Sequence, residues 1–186
     1  MLNQKERLFD TKRLTIAALL TAIGIVLMYI IRIPMFLPFL EYSPADIPIF
    51  VGTLAFGPIV GLVMTVAVSV LQGLTVSAGS GWIGIVMNIA STGSFVLVAG
   101  LIYRRKKTLM QLGIALGCAV LVSAAVMMLM NLLFMPLFTP GLSVSAVWGM
   151  MLPSILPFNL VRAGLNAVGA LLVFKAVGQY LESKRL

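Results

Sequence analysis

Thr53-Leu54-Ala55-Phe56-Gly57-Pro58-Ile59-Val60-Gly61 interrupts an apolar run reaching from residue 46 to 77, and its reading fixes the number of membrane crossings. Proline inside a helix removes a backbone hydrogen bond and clashes with the preceding turn, and an adjacent glycine favours a break. Four further apolar segments occupy residues 14–31, 83–103, 109–137 and 150–181. Left unbroken, 46–77 gives five crossings and puts Arg104–Lys107 on the opposite side from Lys12 and Arg13. Broken at Gly57-Pro58 it gives six. All three basic clusters (Lys5 to Arg13, Arg104 to Lys107, Lys184-Arg185) then share one face, as expected if cationic loops stay cytoplasmic. The sequence therefore predicts an all-α, polytopic membrane protein: a six-transmembrane-helix bundle with both termini cytoplasmic. Its second helix, about residues 44–56, would rise only ~20 Å against a hydrocarbon core of ~30 Å. Such a helix must be buried among its neighbours or sit high in the bilayer.

Composition supports this reading. Of 186 residues, 61% are hydrophobic and 10% charged, and the mean hydropathy is +1.12, far from a soluble domain. The apolar runs are continuous rather than alternating, which argues against a β-barrel. The net charge of +8 gathers at helix ends, so anionic lipid headgroups rather than nucleic acid are the expected counterpart. Cys118 is the single cysteine, and histidine is absent. That excludes an intrachain disulfide, histidine metal sites and histidine bases. The run Leu14–Ile31 is longer than a signal-peptide core and lacks a small-residue cleavage site, so it reads as an anchor helix. Residues 14–181 form one transmembrane domain between a cytoplasmic segment, 1–13, and a cytoplasmic tail, 182–186.

Three loops then face outside: 32–45, 76–84 and 138–149. The first carries Arg32, Glu41 and Tyr42, with Asp46 placed to cap the next helix. Beneath the loops lies a set of isolated polar residues. Arg162 sits inside the last span, where a charge costs ~2.5–3.5 kcal/mol at a helix centre and so faces a cavity or a partner. Asn159, Arg162 and Asn166 are spaced i, i+3, i+7 and share a helix face. Asn131 is embedded in Met127-Met128-Leu129-Met130-Asn131, and methionine adapts its shape to flat, polarisable groups. Asn88 follows Trp82 and Gly84 near the end of the fourth helix. Together these residues suggest a polar-edged solute pocket. The plainer alternative is interhelical hydrogen bonding, worth ~0.6 kcal/mol per contact, and Asn166, being deeper, suits that role. In the first helix Ala18 and Ala22 form a small-xxx-small pair, as do Gly57 and Gly61 further on, letting another helix approach closely.

Several functions lack their residues. No G-x-x-x-x-G-K-[S/T] phosphate loop occurs, no acidic residue is expected deep in the bilayer to relay protons or sodium, and no protease motif is present. Glu41 and Asp46 do not read as a catalytic pair. The chain is not expected to be an enzyme, and a transporter of this kind would draw its energy from another subunit.

The chain resembles the substrate-binding S components of energy-coupling factor (ECF) vitamin transporters, in particular their riboflavin-specific branch. The resemblance rests on Thr11-Lys12-Arg13-Leu14 with Ala18 and Ala22, Tyr42-Ser43-Pro44-Ala45-Asp46-Ile47-Pro48, Thr53 to Gly61, Met87-Asn88, Asn131 with Pro136, and Pro157-Phe158-Asn159-Leu160-Val161-Arg162. It implies a plasma-membrane protein of a prokaryote that captures a vitamin from outside, with riboflavin as transported ligand and no cofactor or metal. It further implies a transmembrane coupling subunit, contacted through Ala18 and Ala22, and two cytoplasmic ATPase subunits. Asn131, Asn159 and Arg162 would match that branch's ligand-binding positions, with Asn88 added from the reading above. Arginine stands at 162 where the branch would have lysine, and its planar fork is not equivalent. Another heteroaromatic vitamin or a phosphorylated flavin (FMN) would use the fork well. A membrane scaffold without a ligand is the alternative from a different class.

Overall fold

A computed structural model describes residues 11–138 and 143–183. Thr139-Pro140-Gly141 of the third expected loop lies outside the described residues. So do most of the expected N-terminal segment and Lys184 and Arg185 of the tail.

The break at Gly57 is where the sequence places it. Helix α2 (Asp46–Phe56) ends there and α3 (Pro58–Leu74) begins with Pro58 in its first turn. Gly57 adopts φ 100°, a left-handed conformation that a side chain disfavours, and proline then supplies a pre-set φ for the new helix. At 11 residues, α2 rises only ~16 Å. It is buried almost throughout and touches α1 (Thr11–Ile30), α3, α4 (Gly81–Arg105) and α7 (Leu156–Ser183). This short helix is the post around which the bundle packs. Phe50 of α2 stacks on Phe95 of α4 with ring centroids 3.6 Å apart.

Helix α5 (Leu109–Phe138) packs against α4 and α7. Helix α6 (Val144–Met150) is capped by Ser143, whose Oγ accepts from the Ala146 amide at 3.2 Å. It runs through a π-helical turn, Met151–Ile155, into α7. Pro153 lies in that turn; it cannot donate the backbone bond of a regular α-turn, so the helix widens locally. The last expected segment, 150–181, therefore continues a helical run that starts at Val144. Four runs are long and apolar enough to cross a membrane: Thr11–Ile30, Ala78–Arg105, Leu109–Leu137 and Val144–Val177.

Loop 32–45 is more ordered than the sequence suggests. It forms an antiparallel ribbon, β1 (Ile33–Met35) with β2 (Leu37–Tyr42), pairing Ile33 with Tyr42 and Pro34 with Glu41. Among the described residues this is the one departure from an all-helical chain. Its turn residue, Phe36, has φ 63°, uncommon for a bulky side chain, and its ring meets Phe158 edge-on at 6.5 Å. Loop 76–84 is shorter than expected, a 3-10 turn at Ala78–Ser80 leading into α4 at Gly81.

Candidate functional site

The polar residues of four helices converge beneath the ribbon. On α7, Arg162 and Asn166 are one turn apart; on α4, Asn88 and Thr92 are likewise; on α3, Ser69 and Gln72 share a face. Asp46 is the first residue of α2, and the sequence reading of it as a helix cap is corrected here. No side-chain cap bond forms. The carboxylate instead turns into the bundle, where it is 6% exposed.

Three donors meet that carboxylate. Arg162 Nη2 donates to Asp46 Oδ2 at 3.0 Å, Thr92 Oγ1 donates to Oδ1 at 3.2 Å, and Asn166 Nδ2 approaches Oδ2 at 3.4 Å. Asp46 thus lies inside the helical bundle as the counter-ion of Arg162. Arg162 Nη2 also donates to Asn88 Oδ1 at 3.1 Å. The Asn88 amide in turn donates to Ser69 Oγ at 3.0 Å and Gln72 Oε1 at 3.1 Å. The chain Asp46–Arg162–Asn88–Gln72 therefore ties α2, α7, α4 and α3 together. A low-dielectric interior makes such a satisfied network rigid.

Asn166, read from the sequence as structural, serves two acceptors at once: Nδ2 reaches the Ser43 carbonyl at 3.2 Å as well as Asp46. The cost falls on its Oδ1, the one buried side-chain polar atom among the described residues with no partner. Flipping the amide would set that oxygen against two acceptors.

A cavity of about 700 Å³ lies beside this network, within the range for small-molecule sites. Met28, Met87, Met127, Met135 and Met150 line it with Phe158, while Asn88, Asn131, Gln72 and Arg162 supply polar edges. The ribbon residues Leu40 and Glu41, with Ser43 just beyond, roof it. Arg32 pairs with the Glu41 carboxylate and donates through Nη1 to the Val76 carbonyl at 3.0 Å, latching the ribbon to the end of α3. Burial, and then the Asp46 carboxylate, push the Tyr42 phenol above its ordinary value, partly opposed by Arg162. Tyr42 therefore stays neutral at the edge of the network.

The expected site residues divide between two spaces. Asn88, Asn131 and Arg162 line the large cavity. Asn159 lines a second, water-sized void with Ser91, Ser123, Asp46 and Arg162, so Arg162 is the wall between the two. Asn131 and Asn159 each donate to the carbonyl one turn back, Met127 and Ile155, at 2.8 Å. Those bonds fix their rotamers and leave each amide oxygen and one N–H available. Sequence reading missed Thr92, Ser69 and Gln72. Their signal was the i, i+4 step from Asn88 to Thr92 and the matching i, i+3 pair on α3.

The chain matches the model of the family described as ECF transporter, substrate-specific component, over residues 12–174. Riboflavin transporter RibU of Staphylococcus aureus (strain TCH60) is 26% identical over 185 residues, covering 96% of this chain and 97% of that one. Riboflavin transporter FmnP of Bacillus subtilis (strain 168) is 25% identical over 182 residues, covering 94% and 96%. A solved structure described as the S component of a bacterial ECF transporter matches at TM-score 0.76 and 29% identity, covering 92% of this chain and 98% of that one.

Proposed function

The chain belongs to the ECF transporter substrate-specific component family, and on that premise we propose that it captures riboflavin from the external side for an ECF-type importer. Family membership makes it a vitamin-binding transport component and a membrane protein rather than an enzyme. The observation that carries the riboflavin reading is the cavity of about 700 Å³ with methionine-rich walls and polar edges from Asn88, Asn131 and Arg162. A flat heteroaromatic ring needs that combination: adaptable apolar cover on its faces and fixed donors and acceptors at its rim. The riboflavin transporters of similar sequence support the same ligand.

In this reading Asn131 and Arg162 bond the ring edge, Asn88 holds Arg162 in place while facing the ligand, and Asn159 contributes where the two voids meet. The ribbon, latched through Arg32, closes over the bound vitamin. The six-span topology completes the picture. Helices α2 and α3, although each is shorter than a ~30 Å hydrocarbon core, count as separate passes. That count places both termini on the cytoplasmic side of a prokaryotic plasma membrane and the ribbon outside. The domain layout 1–13, 14–181 and 182–186 follows from it.

Fluorescence quenching of riboflavin by the purified protein tests the ligand. Sub-micromolar binding is expected, and a chain that leaves riboflavin fluorescence unchanged at micromolar concentrations refutes the assignment.

The partners proposed are a transmembrane coupling subunit and two cytoplasmic ATPases. Ala17, Gly24 and Met28 of α1 face the bundle, whereas Ala18 and Ala22 are exposed. That exposure leaves a small-residue strip on which a partner helix could pack closely. Ala22→Trp should abolish co-purification of the coupling subunit while leaving riboflavin quenching intact. Retention of the partner subunits on an affinity column charged with that variant would place the interface elsewhere.

A further inference from the structure

We infer that Asp46 sets the charge selectivity of the cavity: by occupying Arg162 it makes the site accept uncharged riboflavin and reject its phosphate monoester. This inference rests on the riboflavin reading above and adds a discriminating residue to it.

The first observation is the geometry of the guanidinium. An arginine offers an anion two bidentate edges, Nε with Nη2 and Nη1 with Nη2, and both need an Nη2 hydrogen. Here Nη2 spends both hydrogens, one on Asp46 Oδ2 and one on Asn88 Oδ1. Neither edge remains for a phosphate to take the guanidinium in the ring's place. What is left, Nε and Nη1, suits single hydrogen bonds to the neutral oxygen and nitrogen acceptors of a heteroaromatic ring. The alternative in which a phosphorylated flavin uses the fork of Arg162 therefore loses its donor pair.

The second observation is the charge of the lining. Its formal charges are Arg32, Glu41 and Arg162. Arg32 is paired with Glu41 and Arg162 with Asp46, and Tyr42 adds none because its phenol stays protonated. Each cation facing the cavity is matched by a carboxylate. A phosphate monoester carries about −1.5 to −2 charges at neutral pH, and moving it from water into a site without surplus positive charge is costly.

Riboflavin and flavin mononucleotide are titrated by fluorescence quenching against the full-length wild type, Asp46→Asn and the double variant Asp46→Asn/Arg162→Gln. The wild type is expected to prefer riboflavin. Asp46→Asn should narrow that preference by roughly tenfold, because one uncompensated positive charge then faces the cavity. The double variant, neutral again, should restore it. Lost packing alone would weaken both flavins together and leave their ratio unmoved. If Asp46→Asn does not fold, Glu41→Gln on the half-exposed rim gives the cavity the same surplus charge through Arg32. It should narrow the preference severalfold, and more at low salt. An unchanged ratio in the folded variant tested, or a wild type that binds both flavins equally, overturns the inference alone. A wild type that binds neither flavin sinks the riboflavin reading and this inference with it.

Discussion

Arg162→Met is expected to weaken riboflavin binding by at least about a hundredfold. A hydrogen bond to a charged group contributes about 1.5–3 kcal/mol, so losing two such bonds to the ring edge corresponds to that factor or more. The substitution has a second consequence. It leaves the Asp46 carboxylate, 6% exposed, without its cation, and breaking a buried pair from one side costs about 3–5 kcal/mol. Binding and stability must therefore be separated. Combining Arg162→Met with Asp46→Asn removes both charges and should recover most of the melting temperature in detergent, while riboflavin affinity stays low. Quenching by Arg162→Met at wild-type affinity would show that the ligand sits elsewhere.

Gly61→Ala is expected to be the most damaging small substitution outside the cavity. A Cβ at 61 would lie 2.1 Å from Thr53 Oγ1 and 2.7 Å from Val96 Cγ1. Neither neighbour has room to move. Thr53 is buried on α2 with its hydroxyl bonded to the Ile49 carbonyl at 2.8 Å, and Val96 is fully buried on α4. Overpacking of this kind costs about 1–3 kcal/mol, and here it pushes α3 from the helix that carries Asp46. A melting temperature lower by several degrees is expected, with riboflavin affinity falling because α2 and its carboxylate shift. Thr53→Ala in the same chain removes the closest atom and should recover part of the loss. A variant as stable as wild type would mean that α2 and α3 stand further apart than a 2.1 Å approach to Thr53 Oγ1 implies.

The polar face of α7 was legible from sequence because a helix imposes its own period. Asn159, Arg162 and Asn166 at i, i+3, i+7 must share a side whatever packs against them. The ribbon was not legible. Pro34 and Pro38 read as loop, and the positive φ of Phe36 goes with its ring packing against Phe158 rather than with any local preference. Asp46 was misread for a related reason. Its position at a helix start explains a capping role fully, so nothing local demanded another. Counting charges would have helped: the chain has five acidic residues, and Glu6, Asp10 and Glu182 lie near its ends, leaving Glu41 and Asp46 as the available partners for Arg162.

By itself the sequence determined the solvent in which this chain folds, the break between α2 and α3, and the face on which the last helix carries its polar groups. Each follows from composition or from the backbone rules of proline, glycine and the helical repeat. Only the tertiary structure decided which carboxylate meets Arg162, because the two residues are 116 positions apart and no local rule reaches that far. It also decided that the guanidinium is shared between the bundle and the cavity. Burying a charge requires a counter-charge nearby, but packing chooses where it comes from.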